Sequence, residues 1–321
     1  MKILTFVVPS YHCASFLPKC ITSLAHPRLL DQLEILIVND GSTDDTLKVA
    51  EELEKQYPAA VRVISQENRG HGGALNTGCA AASGKYLKVI DADDWIETDN
   101  LPAFLKELES CEADVVLTHH YTRDISTGEI KKWKSYPEKF GVSYTMEQIM
   151  EAPRNFDRSL TFHGITYRTD FYRRNGMQLS EKVFYEDHEY ATVPCCYAAS
   201  VMPLDLFLYD YRIGDTQQSV SDANQLKRIG HTETVLRSMT GYYLQLPERA
   251  GKRYAAMKIQ GLLLSYMTTT LLADPDRRSG RNMAKNWARQ PPCTRRLAMP
   301  FSLMTHQSVV FFTGTPTQLE V

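Results

Sequence analysis

Four apolar runs punctuate the first part of the chain, Ile3 to Val8, Ile35-Leu36-Ile37-Val38, Val61 to Ser65 and Tyr86 to Ile90. Each is followed by a small or polar loop and then by a segment with helical spacing, for example Phe16, Leu17, Ile21 and Leu24 after the first run. Continuous rather than alternating apolarity marks strands buried on both faces. Four such β-loop-α units predict an α/β fold with a mostly parallel sheet flanked by helices, and every loop that follows a strand then lies at one common edge. Open sheets of this kind bind ligands at that edge.

The loops are chemically distinctive. The fourth strand ends in Asp91-Ala92-Asp93-Asp94, three carboxylates within four residues. Such a cluster repels itself unless a cation sits in it, and carboxylate oxygens suit Mg²⁺ or Mn²⁺, ions that also take oxygens from a substrate diphosphate. A second reading stays open, in which Asp94 or Asp99 caps the helix running from about Leu101. The second strand ends in Asn39-Asp40-Gly41-Ser42-Thr43-Asp44, with Ser42 or Thr43 able to cap the helix of Leu47, Val49, Ala50 and Leu53. Asp40 is either a ligand contact or a turn residue, since Asp-Gly favours turns by itself. After the third strand, Gly70-His71-Gly72-Gly73 forms a loop whose glycines let backbone approach a ligand, and an alanine-rich helix follows.

Further along, a helix over Leu101 to Ser110, a strand over Ala113 to Thr118 and a hairpin between about Tyr121 and Tyr144 are expected. A strand near Thr161 to Tyr167 precedes a short helix capped by Asp170 and carrying Phe171 and Tyr172. Glu186-Asp187-His188-Glu189 then opens a helix that continues to Val193 and Tyr197, and Val201 to Tyr211 forms one or two strands. From Asn224 to Ala273 the spacing is helical, broken near Pro247 and Gly251.

Bulk properties remove several function classes. A net charge of -2 over 321 residues gives no general attraction to nucleic acid. Seven cysteines, at 13, 20, 79, 111, 195, 196 and 293, include no CxxC pair and are odd in number, which points to a reducing cytoplasm rather than a disulfide framework. The first apolar run reads as a core strand and not as a signal peptide. Ile259 to Ala273, the longest greasy stretch, is too short for a bilayer, so a soluble chain is expected.

Taken in order, Val8-Pro9-Ser10-Tyr11, Val38-Asn39-Asp40-Gly41-Ser42-Thr43-Asp44, Asn68-Arg69-Gly70, Gly84-Lys85-Tyr86, Asp91-Ala92-Asp93-Asp94 and Glu186-Asp187 resemble the family 2 inverting glycosyltransferases, enzymes of the GT-A fold that use nucleotide-sugar donors. Tyr211-Arg212 and Gln218-Ser219-Val220-Ser221 are also similar to a stretch such enzymes carry, so the resemblance runs from residue 1 to about 221. It implies a catalytic domain over 1–221, with a nucleotide-sugar half at 1–120 and an acceptor half at 121–221, followed by a mainly helical region at 222–321. Pro9 and Tyr11 would border the base of a nucleotide, favoured as UDP, with Asp40 accepting its imino hydrogen. Asn68, Gly70 and Gly73 would line the ribose and diphosphate, Asp91 or Asp93 the ribose, and Asp93 or Asp94 the metal, Mg²⁺ or Mn²⁺. Asp187 would be the base that deprotonates an acceptor hydroxyl, with Glu186 binding acceptor hydroxyls or holding Asp187. The competing reading of Glu186, Asp187 and Glu189 is acid that favours a helix N-terminus.

The acceptor implied is a carbohydrate or a lipid-linked saccharide, and the setting is cell-surface polysaccharide or glycolipid synthesis. A sugar nucleotidyltransferase would carry a basic glycine loop after the first strand, where Pro9-Ser10-Tyr11-His12-Cys13 stands. A processive synthase would need membrane helices and a Gln-x-x-Arg-Trp signature. A non-catalytic nucleotide-sugar or carbohydrate binder on the same fold is the remaining alternative, opposed by the presence of both Asp93 and Asp187. Adjacent His119 and His120 would point to opposite faces of a strand. His71, His163 and His188 lie near the motifs without a spacing that assigns them, and zinc chemistry is not supported. Arg277, Arg278, Arg281, Lys285, Arg289, Arg295 and Arg296, with Trp287, form either a solvated helix face or a patch that rests on anionic lipid at the inner face of a membrane. Homo-oligomerisation stays open.

Overall fold

The structure, a computed structural model, describes residues 2–215 and 226–270, with Arg278 and Asn282 singly. Gln218 to Ser221, Cys293, the other basic residues near the C-terminus and 300–321 lie outside the described residues.

Strands β1 (Leu4–Ser10), β2 (Leu33–Asp40), β3 (Val61–Gln66) and β4 (Tyr86–Val89) alternate with helices α1 (Leu17–Leu24), α2 (Thr46–Gln56) and α3 (Gly70–Ala81). After β4 come the short β5 (Trp95–Ile96), α4 (Leu101–Ser110), the hairpin of β6 (Val115–Asp124) and β7 (Ile130–Trp133), α5 (Met146–Glu151), β8 (Ile165–Arg168) and α6 (Thr169–Arg174). Helix α7 (Asp187–Thr192) leads through a 3₁₀ turn, Pro194–Tyr197, into β9 (Val201–Ile213). Helices α8 (Ile229–Gln245) and α9 (Ala250–Thr268) follow.

Among the described residues the strands form one sheet, in the order β3-β2-β1-β4-β8-β6-β9-β5, with β7 beside β6. β1 to β4 are mutually parallel and β6 runs parallel to β9, whereas β8 lies antiparallel between β4 and β6. The apolar runs explain the layering. Phe6, Val8, Ile35 and Ile37 pack with Leu17, Leu24, Ala50, Leu53, Phe104 and Leu108 on one face. The intervening Val7, Leu36, Val38, Leu87 and Val89 pack with Leu75, Ile149, Phe171, Tyr190 and Tyr254 on the other. Both strand faces are thus covered, as period-two alternation of side chains requires.

Several local expectations are corrected. α2 starts at Thr46, and the backbone N–H of Thr46 donates to Asp44 Oδ1 (3.1 Å), so neither Ser42 nor Thr43 is the cap. Asp170 sits inside the first turn of α6 with Arg168 at the N-cap position, so it does not cap from outside. Residues 161–164 are turns, and the strand begins only at Ile165. α7 stops at Thr192, short of Val193 and Tyr197. Val201 to Ile213 is one long strand that tolerates Pro203, with a register shift near His119 on β6. The helical break falls between Gln245 and Ala250, as Pro247 and Gly251 suggest. Six cysteines, at 13, 20, 79, 111, 195 and 196, are free thiols. No helix among the described residues is long and apolar enough to cross a membrane.

α9 is docked tightly on the body. A Cβ on Gly251 would stand 2.0 Å from the Cys196 carbonyl oxygen, and the Tyr254 hydroxyl donates to Ala191 O (3.0 Å). α8 and α9 enclose a further small core, Val235, Leu236, Met239, Ile259, Leu262, Leu263 and Tyr266, against which Val183 and Tyr185 pack.

Candidate active site

At the end of β2, Asp40 is almost fully buried. Its Oδ1 accepts from Gln66 Nε2 (2.7 Å) and the Arg69 N–H (2.8 Å), while Oδ2, also buried, has no partner among the described residues. A carboxylate oxygen sealed from water and left without a donor costs free energy unless a ligand supplies one. Asn68 is turned back on the chain, its Nδ2 donating to the Asp40 carbonyl oxygen (3.0 Å). Pro9 pairs in register with Val38, and Tyr11, 51% exposed, stacks on His12 with ring centroids 4.0 Å apart. His12 adopts φ +48°, and the Thr43 N–H donates to its Nε2 (3.1 Å), knitting the loop after β1 to the loop after β2.

The acids after β4 divide by environment. Asp94 is buried; it accepts from the Tyr209 hydroxyl (2.6 Å) and from the Arg212 N–H (2.8 Å). Burial, then the neighbouring charges of Asp93 and Asp91, push its pKa well up against those two donors. The capping alternative for Asp94 and Asp99 is thereby removed, since α4 starts behind Asn100 with no side-chain cap. Asp93 is part-exposed and lies 3.7 Å from Arg212 Nη1, whose guanidinium also faces Asp215 and covers the ring of Phe16. The Asp91 N–H donates to the Tyr209 oxygen (3.1 Å), so one phenol fixes both ends of the acidic turn. Among the described residues no three His, Cys, Asp or Glu side chains gather around a point that could hold an ion by themselves.

The glycine run is the first turn of α3 and not a loop, and its small residues make room for the protein itself. A Cβ on Gly70, where φ is +77°, would meet Lys182 N at 2.7 Å, and one on Gly72 would meet Ser180 O at 2.2 Å. One on Gly73 would meet Arg69 Cβ at 2.4 Å. The segment 180–182 therefore lies against the helix start, held by Lys182 N–H to Arg69 O (2.9 Å) and by the Arg69–Glu181 ion pair. Tyr185 has φ +75°, strained for an aromatic residue, immediately before Glu186 and Asp187.

His71 joins the distant motifs. Its Nδ1 lies 2.5 Å from Glu186 Oε1 and its Nε2 lies 2.9 Å from Asp91 Oδ1. Burial alone would lower its pKa; Asp91 and then Glu186 more than offset that and raise it well above the ordinary histidine value. Glu186 is 3% exposed and its Oε2 has no partner among the described residues. Asp187, half-buried, opens α7. Spacing along the chain could not reveal this bridge, because Glu186 is 115 positions from His71.

Behind these groups, His163 stacks on Tyr211 (4.3 Å) and leans on His120 (5.1 Å), which stacks on Trp133 (5.9 Å). Burial lowers the His163 pKa to about 4, against the opposing charges of Asp91 and Asp187. Burial raises that of Tyr211, reinforced by Asp94, Asp91, Asp187 and Asp93. The acids of the β4 loop and the start of α7 thus act on the same two rings. His119 faces the other way, toward Ser159 and Asp205, and the His188 N–H bonds to Tyr185 O. Lys88, an unremarked residue of an apolar strand, is fully buried, donating to the carbonyl oxygens of His163 (2.7 Å) and Ile165 (3.1 Å), and burial drops its pKa to about 7.

The sequence model of the family described as Glycosyl transferase family 2 matches residues 5–174. Glycosyltransferase GlyA of Streptococcus pneumoniae is 34% identical over 125 residues, 39% of this chain and 18% of that protein. Chondroitin synthase of Escherichia coli is 36% identical over 122 residues, 38% of this chain and 17% of that protein. The matches thus span less than a fifth of these relatives. Among solved structures, S. aureus TarS in complex with UDP-GlcNAc superposes with a TM-score of 0.69 at 17% identity, covering 92% of this chain and 84% of that one. A mannosyltransferase of Pyrobaculum calidifontis in complex with GDP-Man and Mn²⁺ gives 0.55 at 18% identity, covering 92% and 78%. These similarities establish a shared fold, the GT-A arrangement expected from the sequence.

Proposed function

Because the chain belongs to glycosyl transferase family 2, we propose that it moves a sugar from a nucleotide-sugar donor, a UDP-sugar, to an acceptor hydroxyl with inversion at the anomeric carbon. The observation that carries this reading is the continuous contact from Asp91 through His71 to Glu186, which brings the residue beside Asp187 to the donor-strand edge.

In this mechanism the nucleobase lies by Tyr11 and Pro9 and donates its imino hydrogen to Asp40 Oδ2, giving that buried oxygen a partner. UDP-GlcNAc on the similarly folded TarS supports a uridine donor. Asp91 holds the ribose; the glycines at 70 and 73, covered by residues 180–182, take no part in holding the diphosphate. Asp187 takes the proton of the acceptor hydroxyl as that oxygen attacks the anomeric carbon from the face opposite the departing diphosphate. Glu186, too buried to meet an acceptor, holds Asp187 in place. The acceptor, a carbohydrate or lipid-linked saccharide, enters past the 121–221 half, and residues beyond 221 brace that half through α9.

A divalent ion fits this site in part. Mg²⁺ and Mn²⁺ need one or two protein carboxylates when phosphate oxygens and water complete the shell. Asp93 is the carboxylate for that role, because both Asp94 oxygens already accept hydrogen bonds. The Mn²⁺ beside GDP-Man in the Pyrobaculum structure is in keeping with it. When bound, the ion stabilises the negative charge collecting on the diphosphate. Cell-surface polysaccharide or glycolipid synthesis is the setting, supported by a chondroitin synthase among the relatives.

The test is calorimetric titration with UDP, GDP and dTDP, with and without Mn²⁺, alongside transfer assays of Asp187→Asn. The variant should bind UDP within about twofold of the parent and lose transfer by about 10²–10⁴-fold. Unchanged transfer would remove Asp187 as the base, and no binding of any nucleotide would remove the donor site.

A further inference from the structure

We propose that His71 is a positioning residue that sets the base-bearing turn against the donor-bearing strand, holding Glu186 on one ring nitrogen and Asp91 on the other. The inference rests on the glycosyl-transfer reading above and adds a residue to it.

The geometry separates the two ends of the ring. Nδ1 faces Glu186 Oε1 at 2.5 Å and Nε2 faces Asp91 Oδ1 at 2.9 Å, so a ring that satisfies both carboxylates donates from both nitrogens. Asp91 and Glu186 are the ionisable groups that bear on it. Of the two carboxylates, Glu186 depends on the ring more, since the Asp91 side chain is part-exposed. The Glu186 side chain is buried and its second oxygen has no donor among the described residues. Asp91 is tied to Tyr209 only through its backbone N–H.

His71 can occupy this place because its neighbours are glycines. Gly70 turns the chain with φ +77°, and Gly72 lets Ser180 O and Glu186 Cγ close in. The segment from 180 to Asp187 reaches the ring over a strained Tyr185, and Nδ1 is the hydrogen-bond partner that fixes the Glu186 carboxylate and with it the aim of the next residue. An ion pair that merely held the fold together would affect stability and leave turnover per folded molecule alone. A positioning ring should affect each kinetic parameter through a different nitrogen.

The amide nitrogen of asparagine can stand in for Nδ1 and that of glutamine for Nε2. His71→Asn therefore keeps the bond to Glu186 and gives up the one to Asp91; His71→Gln does the reverse. The expected split is that His71→Gln lowers kcat by about 10–100-fold with donor KM within about threefold, since small misplacement of a reacting group is costly in rate. His71→Asn should keep kcat within about threefold and raise donor KM by about 3–10-fold, the loss of one hydrogen bond. Thermal melts confirm folding of both variants. Equal changes in kcat and KM for the two variants, or none, would overturn the proposal.

A readout without turnover separates this idea from the reaction it serves. In the parent protein labelled with ¹⁵N-histidine, NMR near pH 7.5 should give N–H correlations from both His71 nitrogens. A single N–H overturns the proposal whether or not sugar is transferred. Two N–H signals in a protein that transfers no sugar would leave the bridge standing and remove only the reaction.

Discussion

Tyr209 donates its hydroxyl to Asp94 Oδ2 across 2.6 Å, and the phenol oxygen itself receives the Asp91 N–H at 3.1 Å. A residue of β9 thereby pins the acidic turn that follows β4. Tyr209→Phe removes the donor and leaves a buried carboxylate oxygen unpaired. The expected loss is about 1–3 kcal/mol of unfolding free energy, read from urea midpoints at constant slope. A loss below about 0.5 kcal/mol would mean that the Arg212 N–H alone suffices for Asp94.

Asp40→Asn tests base recognition. The Oδ1 side, which meets Gln66 and Arg69, can be kept by the amide oxygen, whereas the orphan Oδ2 becomes an NH₂ that opposes an incoming N–H. UDP affinity should fall by roughly 10–100-fold, the worth of a charge-assisted hydrogen bond. Calorimetry measures this directly, and an affinity unchanged within twofold would detach Asp40 from the nucleobase.

Gly72→Ala tests the packing of the base-bearing segment. Its Cβ would stand 2.2 Å from Ser180 O, a backbone atom that cannot swing aside as a side chain can. Overpacking of this kind costs about 1–3 kcal/mol, and Glu186, whose Cγ is the next contact, should move with it. Thermal unfolding gives the first effect, and a drop in kcat that exceeds any rise in donor KM gives the second. Gly128, with nothing near its Cβ position, would not serve as a control, because its φ of +77° adds strain of its own.

Lys88→Met tests a buried amine. In the folded protein its pKa is about 7, lowered by burial, while in the unfolded chain it is that of an ordinary lysine. Between those values the unfolded chain holds a proton the native state has released, so the parent gains stability as pH rises through the window. Below it both states are charged and the full penalty applies. The stability difference between Lys88→Met and the parent should shift toward the parent by ~2 kcal/mol from pH 7 to pH 9. Parallel curves for the two proteins would show that Lys88 stays charged in the fold.

Much of this architecture is written in local patterns. Ile35 to Val38 announces a strand buried on both faces because its neighbours alternate between two cores, and the spacing of Phe16, Leu17, Ile21 and Leu24 announces the helix beside it. The acids at 40, 91, 93 and 94 were legible for the same reason, since a strand's polar end must emerge at a sheet edge. What the pattern could not carry is contact across long separations. The glycines at 70, 72 and 73 look like a ligand loop until residues 180–182 are seen to fill the space. Lys88 looks like one polar position in an apolar strand until two carbonyl oxygens are found to receive it. His71 has the ordinary look of a histidine among glycines, and only tertiary structure supplies its two acids.

Arg69 offers its N–H to Asp40 Oδ1 and its carbonyl oxygen to the Lys182 N–H. One amino acid thus has a hand on each shore of the cleft. Pulling the 180–186 strap outward would load the peptide link next to the one that steadies Asp40, so a movement at one rim reaches the other through a single residue.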